Sequence, residues 1–432
     1  MSAKVGSARR RSRFRIALIL VALAGVVFRV AYVAIDESHP VGGDGRYYHA
    51  IATLVATGKG FIDPKPFMLQ GLRIAGAPHP PAWPLVLTGA ALVGLRTVLE
   101  QQLIACLVGA ATIVMVGLAG RRIADGRVGI IAAAIAAVYA NFWIYERELM
   151  SETLTLLGAA TVVFLAYRYR ERPGRARALL LGLGCGVLAV THAEQLLLVA
   201  VLLVPLIWFT HDLPRATRLR WAAGATAVAA AVVLPWAAYN TARFHKPVLL
   251  GTEFGITAAV TNCPETYSGP HLGFQDVKCR DDLQSSGRIK SGDAVTIDDQ
   301  YRRIGLQYAR DHLGRLPVVV LAREARTWNV PVIAQWRNDV GRGTSIRVIE
   351  LGFAQYYLLF PFAVAGVVIL RRRRVIVWPL LTFAVTVTVG TALTYGFTRF
   401  RAAAEVPLVL LAAVAVDALI RRLLRAAPAA ED

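Results

Sequence analysis

Long apolar runs separated by short polar intervals dominate the chain from residue 16 onward. A helix needs about 17–25 apolar residues to cross a bilayer. On that measure the pattern predicts ten helical spans, at residues 16–35, 101–120, 128–145, 152–167, 178–191, 195–209, 221–239, 352–370, 375–394 and 402–420. The pair between 178 and 209 is short, which predicts tilted or broken helices. The first run follows "RRRSRFR" and imitates a signal peptide with a cleavage site at Ala22-Leu23-Ala24, yet it continues to Ile35 with Arg29 as its interruption. An uncleaved first helix fits that length better than a removable leader.

One further apolar stretch decides the topology. "PPAWPLVLTGAALVGL", residues 80–95, is short and opens on prolines, so it reads as a helix lying in the outer interface. Lys and Arg concentrate in short cytoplasmic loops, and this tests the assignment. With the N-terminus inside and 80–95 not crossing, the inner segments are 1–15, 121–127, 168–177, 211–220, 371–374 and 421–432. They hold 24 basic against 5 acidic residues. The outer segments 36–80 and 240–350 are nearly balanced, with 4 against 4 and 15 against 12. Letting 80–95 cross would turn "RRIADGR" and "YRYRERPGRAR" outward. Both termini are therefore expected in the cytoplasm, and the Ala/Arg/Val/Leu-rich composition suggests a bacterial plasma membrane.

Composition agrees with the pattern. Of 432 residues, 56% are hydrophobic and 18% charged, and the mean hydropathy is +0.50, which excludes an ordinary soluble domain. The expected fold class is an all-α polytopic membrane protein. The net charge of +20 calls for no nucleic acid, because anionic inner-leaflet lipid accounts for it. The chain divides into a transmembrane module at 1–239 containing the first outer loop (36–99), an extracytoplasmic region at 240–350, and C-terminal helices at 351–432. Region 240–350 is too long for a connector. Its first half is rich in turn residues, and the second reads as helix broken near Pro317. Ile304, Tyr308, Val319, Ala322 and Ala325 suggest a face lying on the membrane, roofing a cavity. Cys106 and Cys185 fall in spans as packing residues. Cys263 and Cys279 share the outer region, where an oxidising compartment permits a disulfide; the sequence leaves open whether it forms.

Polar groups that interrupt the pattern at the outer ends are the candidates for function, since ionisable groups at membrane depth tend to line watery sites. The first loop supplies Asp36, Glu37, Asp44, Tyr47, Tyr48, His49 and His79. "YERELMSETL" supplies Glu146, Arg147, Glu148 and Glu152, and "THAEQ" supplies His192 and Glu194. "YGFTRFRAAAEVP" supplies Tyr395, Arg399, Arg401 and Glu405. Carboxylates and arginines remote in sequence thus converge on one membrane face. A carboxylate can serve as general base toward a hydroxyl while guanidiniums hold phosphate through paired hydrogen bonds. No phosphate loop, HExxH or GxGxxG motif is present, so nothing points to a soluble nucleotide donor.

These segments, in this order, resemble membrane glycosyltransferases of the GT-C fold, the protein O-mannosyltransferase and aminoarabinose transferase superfamily that uses polyprenyl-phosphate sugars. "GGDGRYYHAIATLVATGKGF" looks like that family's acidic residue and aromatic-rich outer helix, "APHPPAWPLVL" like its basic residue before an interfacial helix, and "LMSETLTLL" like its second acidic residue. "LPWAAYNTARFHKPVLLGTEFGI" and "TRFRAAAEVPLVLLAA" resemble its exit from a middle span and its last outer turn. Two departures stand out. Relatives often carry Arg-Pro where this chain has His192-Ala193, and the aminoarabinose transferases place Lys where it has His79.

The resemblance implies sugar transfer from a polyprenyl phosphate to a cell-envelope acceptor, with Asp44 as the base that takes the acceptor proton and Glu152 as its support. Arg399, Arg401, His79 and Arg147 become candidates to hold donor phosphate. Tyr47, Tyr48, His192, Glu194 and Tyr395 become candidate cavity lining. Plainer readings stand beside these. Asp44 could cap a helix over 45–56, Glu152 could serve a helix dipole, Arg147 could pair with Glu146 or Glu148, and one of Arg399 and Arg401 could snorkel. No essential cofactor or metal is expected, although Asp44, Glu152 and His79 could together hold a divalent ion. Rival readings are a lipid-linked glycan ligase or polymerase using a pyrophosphate donor, and a lipid or sugar transporter or flippase. Donor sugar, acceptor, linkage and oligomeric state are not legible.

Overall fold

A computed structural model describes residues 2–35, 41–330 and 345–426, with side chains from residue 12 onward. Asp36 and Glu37 lie outside the described residues. The chain is almost wholly helical. A long first helix, α1 (Ser2–Ile35), is followed by three short ones before the next long segment: α2 (Gly43–Ala56), α3 (Pro64–Gln70) and α4 (Ala82–Leu92). Then come α5 (Val98–Ile123), α6 (Gly126–Val138), α7 (Ala140–Arg147), α8 (Glu152–Glu171) and α9 (Arg175–Ala189). The broken stretch Ala193–Trp208 ends in α10 (Val204–Trp208), and α11 (Arg215–Phe244) closes the N-terminal half.

Among the described residues, five segments are long and apolar enough to cross a membrane: Ser12–Ile35, α5, α11, Ile346–Arg372 and Thr398–Ala426. α6 and α7, bent by 45° at Tyr139, make a sixth if taken as one span. The 15-residue α9 reaches roughly 22 Å at 1.5 Å per residue, short of the bilayer core. The pairing of spans expected at 178–191 and 195–209 is thus a short helix followed by a broken one. The stretch expected to lie at the interface becomes the 11-residue α4. It packs on α2 and α5 through Trp83 and Leu87, both fully buried.

Small residues set the closest helix approaches, as membrane packing favours. A Cβ on Gly120 of α5 would sit 3.1 Å from Gly129 Cα of α6. Buried ion pairs tie the bundle as well. Arg29 Nε donates to Glu146 at 2.7 Å, and its Nη groups reach the carbonyls of Ala136 and Ala137. The interruption in the first span is therefore a strut between α1 and α7.

The outer region adds α12 (Phe254–Thr261), α13 (Pro264–Tyr267), α14 (Val277–Ser285), α15 (Ala294–Asp311) and α16 (Leu316–Thr327). Cys263 and Cys279 form a disulfide, which answers the question the sequence left open. The break expected near Pro317 falls at 312–315, with Pro317 in the first turn of α16. The membrane-facing reading of that helix is corrected. Val319 and Ala322 are buried, and α16 packs on the end of a later helix, Trp378–Leu393, and on the turn at 398–401. Among the described residues, three long helices follow: α17 (Ile346–Arg372), α18 (Trp378–Leu393) and α19 (Ala402–Ala426).

Candidate active site

The cavity of interest, about 710 Å³, opens where α2, the head of α8, the break after α9, the outer region and the turn before α19 meet. Each wall follows from local sequence. Gly43, at φ +51°, takes a conformation L residues avoid, and it turns the chain into α2. A Cβ on Gly45 would come within 2.0 Å of the Glu148 carbonyl oxygen, so glycine there lets α2 lie directly on the 148–150 loop. Trp83 of α4 clamps the same loop by donating to the Leu149 carbonyl at 2.7 Å. Asp44 occupies the first turn of α2 but does not cap it, as Gly42 stands at the cap position. Its carboxylate turns to the cavity instead.

There it meets Arg399, whose Nη1 is 2.7 Å from Asp44 Oδ2 and whose Nε is 3.6 Å from Glu152 Oε1. Glu152 opens α8 and is buried. His192 Nε2 lies 3.8 Å from Glu152, and Nδ1 of the same ring bonds Glu194 at 2.7 Å. His79 stands 4.0 Å from Asp44 and 3.7 Å from Glu253. Carboxylates and cations therefore alternate along the wall. Burial works to raise the Asp44 carboxyl, but Arg399 and then His79 outweigh it and hold it at about 2. Burial lowers the His192 imidazolium, whereas Glu194 and Glu152 together bring it up to about 10. His192 thus stands as a cation between two carboxylates.

His192 comes to this position because the helix fails there. α9 stops at Ala189, and the chain resumes as a 3-10 turn (Ala193–Leu197) and then a π turn (Val199–Leu203). Irregular backbone beside a membrane span is tolerated where it is buried in protein or lines a cavity, and this segment, at the outer end of α9, does both.

Arg399 and Arg401 part company for a related reason. Both lie on the 3-10 turn Thr398–Arg401, whose three residues per turn send side chains two apart to different sides. Arg399 enters the cavity. Arg401 is buried behind it, donating to Glu405 at 2.6 Å and to the Thr327 carbonyl at 3.0 Å, with its guanidinium 3.7 Å from the centre of the Tyr356 ring. Tyr139 donates to the other Glu405 oxygen at 2.8 Å. Snorkelling is therefore not its role.

Of the residues singled out from sequence, Asp44, Tyr48, His79, Glu152, His192, Glu194, Tyr395 and Arg399 line this cavity. Tyr47 packs edge-on against His79 just behind the wall. Arg147 is buried outside the lining, where its carbonyl accepts from Gln102. Glu146 serves Arg29, and His49 bonds Gln101. Sequence reasoning missed Glu253, Ser151, Gln275 and Arg280, all on the wall. Glu253 sits in "GTEFGI", a carboxylate beside an aromatic just past a span, and that signal could have found it. Gln275 lies inside the disulfide-closed segment and Arg280 just after it, and neither carries a local signal.

Among the described residues, three ligand-type side chains converge within 4.8 Å at Cys263, Glu265 and Cys279, where the two sulfurs are already bonded to each other. In the cavity, Asp44, Glu152 and His79 are spread around Arg399 rather than gathered on one point.

The family model for dolichyl-phosphate-mannose-protein mannosyltransferase matches residues 78–239. That covers α4 to α11, including His79, Glu152, His192 and Glu194. No curated protein has a significant sequence match. Among solved structures, the oligosaccharyltransferase AglB from Archaeoglobus fulgidus, in complex with an inhibitory peptide and a dolichol-phosphate, aligns with 98% of this chain and 53% of its own, at 14% identity and a TM-score of 0.53. The same organism's oligosaccharyltransferase tethered to an acceptor peptide containing the NVT sequon aligns with 96% and 51%, at 15% identity and 0.54. The chain thus spans about half the length of those proteins. ArnT from Cupriavidus metallidurans bound to undecaprenyl phosphate aligns with 94% and 78%, at 14% identity; its TM-score of 0.42 is too low to carry an argument. The likeness to the archaeal structures shows the fold: an all-helical, multi-pass membrane protein of the GT-C type.

Proposed function

We propose that the protein is a membrane glycosyltransferase that moves a sugar from a polyprenyl-phosphate donor to a hydroxyl of a cell-envelope acceptor on the outer face of the plasma membrane. The observation that carries this reading is the 2.7 Å contact between Asp44 and Arg399 inside a cavity bordered by apolar helices. One group can take a proton and its neighbour can hold a phosphate. The family likeness over 78–239 supports the same chemistry.

In this mechanism the acceptor oxygen attacks the anomeric carbon as its proton passes to an Asp44 oxygen. The bond from that carbon to the phosphate oxygen breaks, its electron pair leaves with the lipid phosphate, and the centre inverts. Arg399 neutralises charge growing on the leaving phosphate, where paired guanidinium donors are strongest. Glu152, paired in turn with His192, lies behind Arg399, and His79 stands beside the base. Tyr395 and Phe400 meet at 4.9 Å in the wall beside the arginine. A divalent ion is not needed to shield a monophosphate donor.

The archaeal neighbours favour a second reading, transfer of a lipid-linked glycan, which would use a pyrophosphate donor. Purified protein in nanodiscs, offered radiolabelled polyprenyl-monophosphate sugars and lipid-pyrophosphate glycans in parallel, separates the two. Transfer or hydrolysis from a monophosphate donor is the expected outcome; saturable binding of the pyrophosphate donors alone would move the assignment to the ligase.

A further inference from the structure

Four carboxylates line the cavity, Asp44, Glu152, Glu194 and Glu253, against two guanidiniums, Arg280 and Arg399. Arg280 is 37% exposed and pairs with its neighbour Asp281. Arg399 is the deeper of the two, at 22% exposed, so an entering phosphate meets one guanidinium next to the base. That guanidinium is already engaged by Asp44. Its Nε, by contrast, is buried and lacks a hydrogen-bond acceptor, with Glu152 at 3.6 Å. The same cation thus has Asp44 on one outer Nη and the Glu152 carboxylate beside its buried Nε.

We propose that the donor phosphate displaces the Asp44 carboxylate from Arg399, so that donor binding itself releases the catalytic base. The inference rests on the polyprenyl-phosphate reading above. Guanidinium donors lie in a fixed fork, and phosphate is bound best by two of them at once. The buried Nε faces Glu152, so the paired donors open to a phosphate are the two Nη groups, and one of these is the atom Asp44 holds; a phosphate seated there competes with Asp44 directly. Glu152, itself paired with His192, stays beside the arginine while its other partner changes.

The exchange alters the base in the useful direction. While paired with Arg399, Asp44 is a weak proton acceptor, because its carboxyl is held at about 2. Losing that partner removes the largest influence that lowers it, while burial, which raises it, remains. Base strength then moves toward the operating pH, where general-base catalysis is most effective. In the donor-free enzyme, water and acceptor hydroxyls face a carboxylate that hardly accepts protons, so donor must precede acceptor.

The test is the affinity of radiolabelled undecaprenyl phosphate for the full-length protein in nanodiscs. Wild type is compared with Asp44→Asn, Asp44→Ser, Glu253→Gln and Arg399→Ala, each first shown to elute as a folded species. Glu253→Gln removes one cavity charge without touching Arg399 and so measures general charge relief. Asp44→Ser keeps the test valid if the asparagine amide still bonds the guanidinium. Exchange predicts at least about tenfold tighter binding in both Asp44 variants, since a phosphate then need not break a charge-assisted hydrogen bond, which is worth about a factor of ten or more. It predicts a much smaller gain in Glu253→Gln and loss in Arg399→Ala. Equal tightening in Glu253→Gln, or none in the Asp44 variants, overturns the exchange and leaves the proposed function standing. Failure of wild type and all Asp44 variants to bind the probe would instead overturn the monophosphate reading on which the exchange rests.

Discussion

Arg399 Nη1 lies 2.7 Å from Asp44 Oδ2, joining the turn before α19 to the first turn of α2. Two residues on, Arg401 makes a pair of similar length with Glu405, buried and away from the cavity. The two arginines should therefore answer differently to substitution. Arg401→Ala leaves Glu405 as an unpaired buried charge, which costs about 3–5 kcal/mol. It should lower the thermal unfolding temperature sharply. Arg399→Lys keeps a cation between Asp44 and Glu152 but loses the planar fork. It should unfold near the wild-type temperature while donor KM rises. Thermal scans and donor kinetics on both variants check this.

Gly45→Ala tests how closely α2 must sit. The added methyl would meet the Glu148 carbonyl oxygen at 2.0 Å and the Val41 side chain at 2.7 Å, and backbone on one side leaves little room to give. Overpacking of this kind costs about 1–3 kcal/mol. The variant should also lose turnover, because Asp44 precedes the displaced position. Unchanged stability and activity together would contradict the packing described for α2.

The pH dependence of stability follows from the groups outside the spans. His192, raised to about 10 by Glu194 and Glu152 against burial, contributes stability that is full below its ordinary unfolded value, near 6.5. That contribution is lost as pH rises through about 10. Asp44, held at about 2, contributes above the ordinary carboxylate value, and that contribution disappears as pH falls through about 2. Wild type should be most stable from about pH 4 to 6.5 and decline toward pH 10. Unfolding temperatures of His192→Gln across the same range should show a flatter alkaline limb.

The disulfide between Cys263 and Cys279, 16 residues apart, closes a loop that carries Gln275 and Val277 to the cavity wall. A loop of that length is worth about 3 kcal/mol in the chain-entropy account. Reduction, or Cys279→Ser, should therefore open this segment to protease before the helices unfold. If it borders the acceptor, acceptor KM should rise while donor KM holds.

Much of the fold was legible because lipid imposes a simple rule: helices must be apolar over known lengths, and the departures from that rule stand out. Asp44, Glu152, His192 and Arg399 were found as such departures. Burial inside the protein does not announce itself in the same way. Arg401 carries the same charge as Arg399 and differs in the direction its turn sends it. Val319 and Ala322 form an apolar face that reads alike whether it covers lipid or α18. The broken stretch after α9 was visible as shortness, but its 3-10 and π turns depend on tertiary contacts. Arg29 stood out as the interruption of the first span and Glu146 as a polar group at the outer end; they prove to be partners, a pairing between residues 117 apart that periodicity cannot reveal.

The central claim is that Asp44 is the base for transfer from a polyprenyl-phosphate sugar. The most direct measurement compares wild type with Asp44→Asn in nanodiscs for saturable donor binding and for product formed. General-base catalysis contributes about 10²–10⁴-fold, so the account predicts that the variant binds donor at least as well as wild type and transfers at least about a hundredfold more slowly. Transfer by Asp44→Asn at the wild-type rate would contradict it.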